Sequence, residues 1–126
     1  MKTLVLVLTL LITSCASTPA GKSVARAQYA DMASTGIALT VAKGASEANP
    51  LGAGLLVLKP LFPLAIDRAN LPCHQMNSTV RVINAITYGA VTNNISVAIG
   101  IASPLAIGVV GGLIYAYWYP DQLKCE

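Results

Sequence analysis

The stretch DMASTGIALTVAKGASEANP, residues 31–50, decides the fold class. Asp31, Thr35, Leu39, Lys43 and Glu47 recur every four residues, which lays them along one slowly drifting face of an α-helix. Ala33, Ile37, Ala38, Val41 and Ala42 cover much of the remaining surface. A polar stripe on a small, apolar helix is best placed against other helices in a bundle. Asn49-Pro50 ends the segment, because the residue before a proline is disfavoured in the α region.

Three further helical segments follow. The second runs from Pro50, well suited to a first helical position, to Asp67. Lys59-Pro60 and Pro63 predict a kink or break inside it, with Lys59 directed into the bundle. Arg68 to Asn77 reads as a polar loop holding Pro72, Cys73 and His74. Ser78 is the predicted N-cap of a third helix, which carries Arg81, then Asn84, Tyr88 and Thr92 at intervals of four. The adjacent Asn93 and Asn94 should face protein, since an unpaired amide in hydrocarbon costs several kcal/mol. Ser103-Pro104 resembles an N-cap followed by proline, which ends the third helix near Ala102 and starts a fourth. The alternative breaks the chain at Asn93-Asn94 and makes one kinked segment from Ile95 to Tyr117. Gly108 and Gly112 form a G-x-x-x-G face, with Ser96 and Gly100 continuing its four-residue ladder, and small residues there let helix backbones approach. Tyr115, Tyr117, Trp118 and Tyr119 read as an interfacial aromatic belt. The expected architecture is all-α, a bundle of about four membrane-embedded helices (24–47, 50–67, 78–102 and 104–119) followed by a polar tail, 120–126.

Composition agrees with a lipid-facing chain. Its 126 residues suffice for one small domain, 55% are apolar and 10% are charged, against about 25% charged in an average soluble domain. Mean hydropathy is +0.65. These values argue against disorder, a disulfide knot and an ordinary soluble enzyme. The net charge of +3 is scattered singly, with no basic stripe for phosphates, so nucleic acid is not an expected partner.

The N-terminus explains the odd cysteine count. Met1-Lys2 is a short positive region and Thr3–Ile12 an apolar run too short to cross a bilayer, but of signal-peptide length. It ends at Ile12-Thr13-Ser14-Cys15, which resembles the bacterial lipobox. The resemblance implies a diacylglyceryl group on Cys15, cleavage after Ser14 and acylation of the new amino terminus. Residues 1–14 are then a lipoprotein signal peptide, and 15–23 a flexible tether of small polar residues. With Cys15 taken by lipid, Cys73 and Cys125 fall on the same outer face in an oxidising compartment and are free to pair. Against four full crossings stands the positive-inside rule. Lys22, Arg26, Arg68, Arg81 and Lys124 would all lie outside or near it, and Lys43 alone inside. A bundle lying partly in the outer leaflet and a three-crossing arrangement stay open.

Asp31-Met-Ala-Ser-Thr35 through Glu47-Ala-Asn-Pro-Leu51, with Lys59 and later Asn93-Asn94, resembles a group of small multi-helix bacterial membrane proteins of unknown function. The resemblance covers about residues 29 to 112 and implies a helical membrane fold. It brings no activity with it.

The intramembrane polar set Asp31, Lys43, Glu47, Lys59, Asn93 and Asn94 is the one constellation that invites a functional reading. Ionisable residues in a membrane segment mark ion, proton or substrate paths, or else hold one another as structural glue. Glue is the expected role in so small a chain. His74 beside Cys73, with distant Cys125, lacks zinc-site spacing, so no metal is expected. Asp67 and Ser78 flank His74 without a nucleophile elbow. No catalytic residues and no cofactor are expected. The expected protein is a lipid-anchored, non-enzymatic membrane component of structural or interaction type, and the alternative is a small transporter- or channel-like element. Its partners would be membrane lipid and a second copy, or a membrane protein, on the Gly108/Gly112 face. The expected address is the bacterial inner membrane with the mature N-terminus outside the cytoplasm. Ala16 after the lipobox resembles an outer-membrane sorting signal and keeps that membrane as an alternative.

Overall fold

Thr18-Pro19 opens the first helix. The Thr18 hydroxyl accepts a hydrogen bond from the Gly21 N–H at 3.0 Å, and Pro19 takes the first helical position, where an N–H would have no partner. The computed structural model describes residues 16–41, 59, 61–101, 103–119, 121 and 123–125. Among them run four α-helices and no strand: α1 (Pro19–Val41), α2 (Leu61–Arg68), α3 (Cys73–Ala98) and α4 (Pro104–Trp118). The fold is all-α.

Several boundaries differ from expectation, each for a local reason. Residues 19–23 belong to α1 and not to a tether, because Ala20 and Gly21 are small enough to be buried in the bundle. The break expected at Lys59-Pro60 marks the start of α2: the Lys59 C=O accepts the Phe62 N–H at 3.2 Å, and Pro63 sits in the first turn, where proline is tolerated. Residues 50–58 and 60 lie outside the described residues. Helix α3 starts at Cys73, five residues before Ser78, with Pro72 at the N-cap and its C=O accepting the Met76 N–H. Ser78 is no cap, and its hydroxyl instead donates to the His74 C=O at 3.0 Å. The helix passes unbroken through Asn93-Asn94, so the kinked 95–117 alternative does not form.

Gly100 ends α3 and is not part of a packing ladder. Its φ of 76° is a left-handed conformation that glycine adopts without a Cβ clash. The Gly100 N–H donates to Val97 C=O and the Ile101 N–H to Ser96 C=O, the pair of bonds of a Schellman cap. Pro104 then opens α4.

Helices α1 and α3 run parallel, since Ser23, Gln28 and Thr35 meet Asn84, Thr87 and Asn94 in that order. Helix α2 runs against α1, from Lys59 near Asp31 back to Asp67 near Thr18. Helix α4 runs back along α3, with Cys73 joined to Cys125 and Gly89 facing Gly108. A small apolar core of Ala20, Val24, Ile66, Met76 and Val80 fills the end where the disulfide lies.

The Gly108/Gly112 face is used inside the chain. A Cβ on Gly108 would stand 2.8 Å from the Gly89 C=O, and one on Gly112 2.8 Å from the Ala85 C=O. Those glycines bring α4 onto α3, which leaves no room there for the second copy or membrane-protein partner expected from the motif.

The number of full crossings, open in the sequence, meets a limit in the described helices. Among the described residues no helix is long and apolar enough to cross a membrane. Helices α1 and α3 have the length, 23 and 26 residues, but spend many positions on polar side chains. Helix α4 is apolar but has only 15 residues, against roughly 20 for a span.

Candidate functional site

The polar residues of α1 and α3 face each other and form a seam along the bundle. On α3, Asn84, Thr87 and Asn94 lie at spacings of three and seven, which keeps them on one helix face. On α1 the matching positions are Ser23, Gln28, Asp31, Ser34 and Thr35.

The seam has three layers. In the first, Asn84 Nδ2 donates to Ser23 Oγ at 2.9 Å and to the Tyr115 hydroxyl at 3.1 Å. Tyr115 points inward, and its ring stacks between Tyr88 and Tyr119 at centroid distances of 4.7 and 4.2 Å. It is therefore buried and leaves the expected interfacial belt to Tyr117, Trp118 and Tyr119. In the second layer Gln28 Nε2 donates to Thr87 Oγ1 at 3.1 Å, and the Thr87 hydroxyl donates to the Ile83 C=O. Gln28 Oε1 and Asn84 Oδ1 are buried without a donor. Each such orphan costs about 1–3 kcal/mol.

The third layer holds the charge. Lys59 Nζ pairs with Asp31 Oδ2. Asn94 Nδ2 lies 3.2 Å from Asp31 Oδ1, 3.2 Å from Ser34 Oγ and 2.9 Å from Thr35 Oγ1. The Ser34 and Thr35 hydroxyls in turn donate to the Asp31 C=O. Asp31 is 2% exposed and Lys59 21%. Of the expected polar set, the structure thus brings together Asp31, Lys59 and Asn94. Asn93 is excluded by the helical turn of one residue, and its Cα and Cβ lie against Gly108. Lys43 and Glu47 lie outside the described residues, as does Cys15.

A second polar cluster closes the opposite end. The Asp67 carboxylate accepts four hydrogen bonds, from the Ser17 N–H at 2.5 Å, Ser17 Oγ at 3.1 Å, the Thr18 N–H at 3.3 Å and Thr18 Oγ1 at 2.5 Å. Desolvation raises its pKa, but the bonds from the Thr18 hydroxyl, the Ser17 backbone and hydroxyl and the Thr18 backbone outweigh it and hold the carboxyl below its ordinary value. Nearby, Asn77 Nδ2 donates to the Leu123 C=O and its Oδ1 accepts the Leu123 N–H, both at 2.9 Å. Arg81 pairs with Asp121. The Cys73–Cys125 disulfide closes a sequence separation of 52, which in the chain-entropy account contributes about 4 kcal/mol. Among the described residues no group of three or more His, Cys, Asp or Glu could hold a metal ion.

Gln28, Ser34, Asn77 and the Asp67 clamp escaped the sequence reading. Thr18-Pro19 carried the same helix-start signature as Ser103-Pro104 and could have exposed the clamp. The long-range partners of Gln28 and Asn77 left no local signal.

No family model matches the chain, and no curated protein or solved structure is similar to it.

Proposed function

We propose that this chain is a lipid-anchored membrane component of structural or interaction type, acylated on Cys15 and without catalytic activity. The observation that carries the proposal is an inverted distribution of polarity. Gln28, Asp31, Ser34, Asn77, Asn84, Thr87 and Ser96 are buried, while Ile37, Leu39, Ile86, Ile99, Leu105 and Leu113 stand exposed. In water this arrangement is costly on both counts, because exposed apolar area loses about 25 cal/mol per Å² relative to burial. Against lipid tails both costs fall, since apolar side chains are solvated there and polar groups must find partners inside the protein.

The leader with its lipobox-like Ile12-Thr13-Ser14-Cys15 supports the anchor and the outer face of the inner membrane as address. The third polar layer supports a structural role over an ion path. Its Asp31, Lys59 and Asn94 donors and acceptors are engaged with one another and with Ser34 and Thr35.

Labelled palmitate tests the reading. The wild-type chain should incorporate label and sediment with inner membranes, and Cys15→Ser should take up none. A chain that is unlabelled and freely dissolved without detergent would overturn the proposal.

A further inference from the structure

The charged and apolar groups of this bundle are separated by position along its axis. Apart from the Asp31–Lys59 pair, every described charged residue lies in the half of the bundle that holds the disulfide. Lys22 and Arg26 stand in the first two turns of α1, Asp67 and Arg68 end α2, Arg81 is in the third turn of α3, and Asp121 and Lys124 follow α4. The Asp67 clamp, the disulfide and the Arg81–Asp121 pair hold these positions together. Among the described residues, five basic side chains stand in that half with two acidic ones.

Among the described residues, the other end presents apolar side chains on every long helix. Ile37 and Leu39 of α1, Ile95 of α3 with Ile99 at its C-cap, and Leu105 and Val109 of α4 are all exposed. Between the two ends, where α4 stops, Tyr117, Trp118 and Tyr119 point outward. From this aromatic group back to Pro104 the helix rises about 22 Å. A bilayer core is about 30 Å thick, so this length passes the midplane without reaching the far surface.

We infer that the bundle sits end-on in one face of an anionic bilayer. Its apolar end is immersed in acyl chains, Tyr117–Tyr119 lie at headgroup depth, and the basic end contacts lipid phosphates. The proposal rests on the membrane reading above and adds depth, orientation and lipid charge. The occupant is lipid because the apolar surface lies on three helices and is bordered by aromatic and then cationic groups. That sequence matches the tails, interface and anionic headgroups of a leaflet.

Trp118 is the sole tryptophan and is 75% exposed. The acylated mature protein is reconstituted into phosphatidylcholine vesicles containing phosphatidylglycerol, with bromines placed at shallow or deep acyl positions. Trp118 should be quenched most by shallow bromines. In a Leu105→Trp chain carrying Trp118→Phe, deep bromines should quench most and aqueous iodide quenching should be lost. Leu105 is also 75% exposed, so the change leaves the interior intact. Offered anionic and zwitterionic vesicles together at detergent removal, the wild-type protein should favour the anionic population. Lys22→Gln with Arg26→Gln should lower that preference several-fold.

A Leu105→Trp chain open to iodide overturns the immersion, and so does one shielded from iodide yet blind to bromine, which a protein partner would produce. Equal partition between the vesicles overturns the basic contact. Palmitate uptake with an iodide-accessible Leu105→Trp chain leaves the anchor standing while the immersion falls. Deep quenching in a chain that takes up no palmitate does the reverse.

Discussion

Lys59→Met should unmask the cost of the charge held inside the bundle. Asp31 is 2% exposed and its Oδ2 is paired with Lys59, which is itself 21% exposed. Removing one partner of a buried pair typically costs about 3–5 kcal/mol, because the remaining charge stays buried. Two features reduce this. Lys59 is partly exposed, and Asp31 keeps the Asn94 amide at 3.2 Å from its Oδ1. The expected cost is about 2–3 kcal/mol, or a fall of about 8–12 °C in Tm for a domain of this size. Asp31→Asn should cost only about 1 kcal/mol, since a lysine can extend its ammonium toward solvent or headgroups. The double variant should be more stable than Lys59→Met alone by about 1–2 kcal/mol, as the stranded charge is then gone. Heating each purified variant in one detergent while following far-ultraviolet ellipticity gives the four values of the cycle. Simple additivity, with the double variant worse than either single one, would refute a coupled internal pair.

Gly112→Ala should destabilise by about 1–3 kcal/mol, because its Cβ meets backbone of α3 that cannot move aside alone. Gly36→Ala, with nothing within 4 Å of the added carbon, should be neutral or stabilising by up to about 1 kcal/mol, and thermal melts of the two compare them directly. Asp67→Asn should cost about 1–2 kcal/mol at neutral pH by weakening the bonds to Ser17 and Thr18. The native Asp67 pKa is depressed, so its contribution is complete above the ordinary aspartate range and is lost as pH falls through the native value. Melting temperatures of wild type and Asp67→Asn should therefore converge in acid, and a difference that persists at low pH would contradict the clamp.

The all-helical class was legible because the four-residue recurrence from Asp31 is a local property of one element. The start of α4 was legible for the same reason, as Ser103-Pro104 is a helix-start signature on its own. The start of α1 was not, although Thr18-Pro19 is chemically equivalent. Ala20 and Gly21 look like linker residues, and only the presence of α2 makes their small size a packing feature. In the candidate site, Asp31 and Lys59 were visible as rare charges in apolar segments. Asn94 and Asn93 could not be told apart, since adjacent residues differ by a rotation whose reference is set by the neighbouring helix. The G-x-x-x-G motif was read correctly as a close-approach face, but its partner was assigned outside the chain. Which helix meets such a face depends on topology, and α3 precedes α4 closely enough to take it.

Four crossings conflict with the positive-inside rule only if each apolar segment is a passage between compartments. Sequence hydropathy measures how much apolar surface a segment has, without saying whether it ends on the far side. In the bundle α1 and α3 run parallel and α4 returns along α3, so exposed Ile37, Ile95 and Leu105 lie together toward the end away from the disulfide. Under the end-on immersion proposed above, Lys22, Arg26, Arg68, Arg81 and Lys124 all remain on the face where the Cys15 anchor would be attached. None of them needs to be carried across, so the rule that sorts loops between two faces has nothing to sort among these five. The buried seam follows from the same geometry. Helices whose outer surfaces face lipid gain little from apolar association, so contact between them relies on close glycine packing and on polar groups with mutual partners. Gly89, Gly108 and Gly112 supply the first between α3 and α4, and the Ser23–Asn84, Gln28–Thr87 and Asp31–Asn94 layers supply the second between α1 and α3.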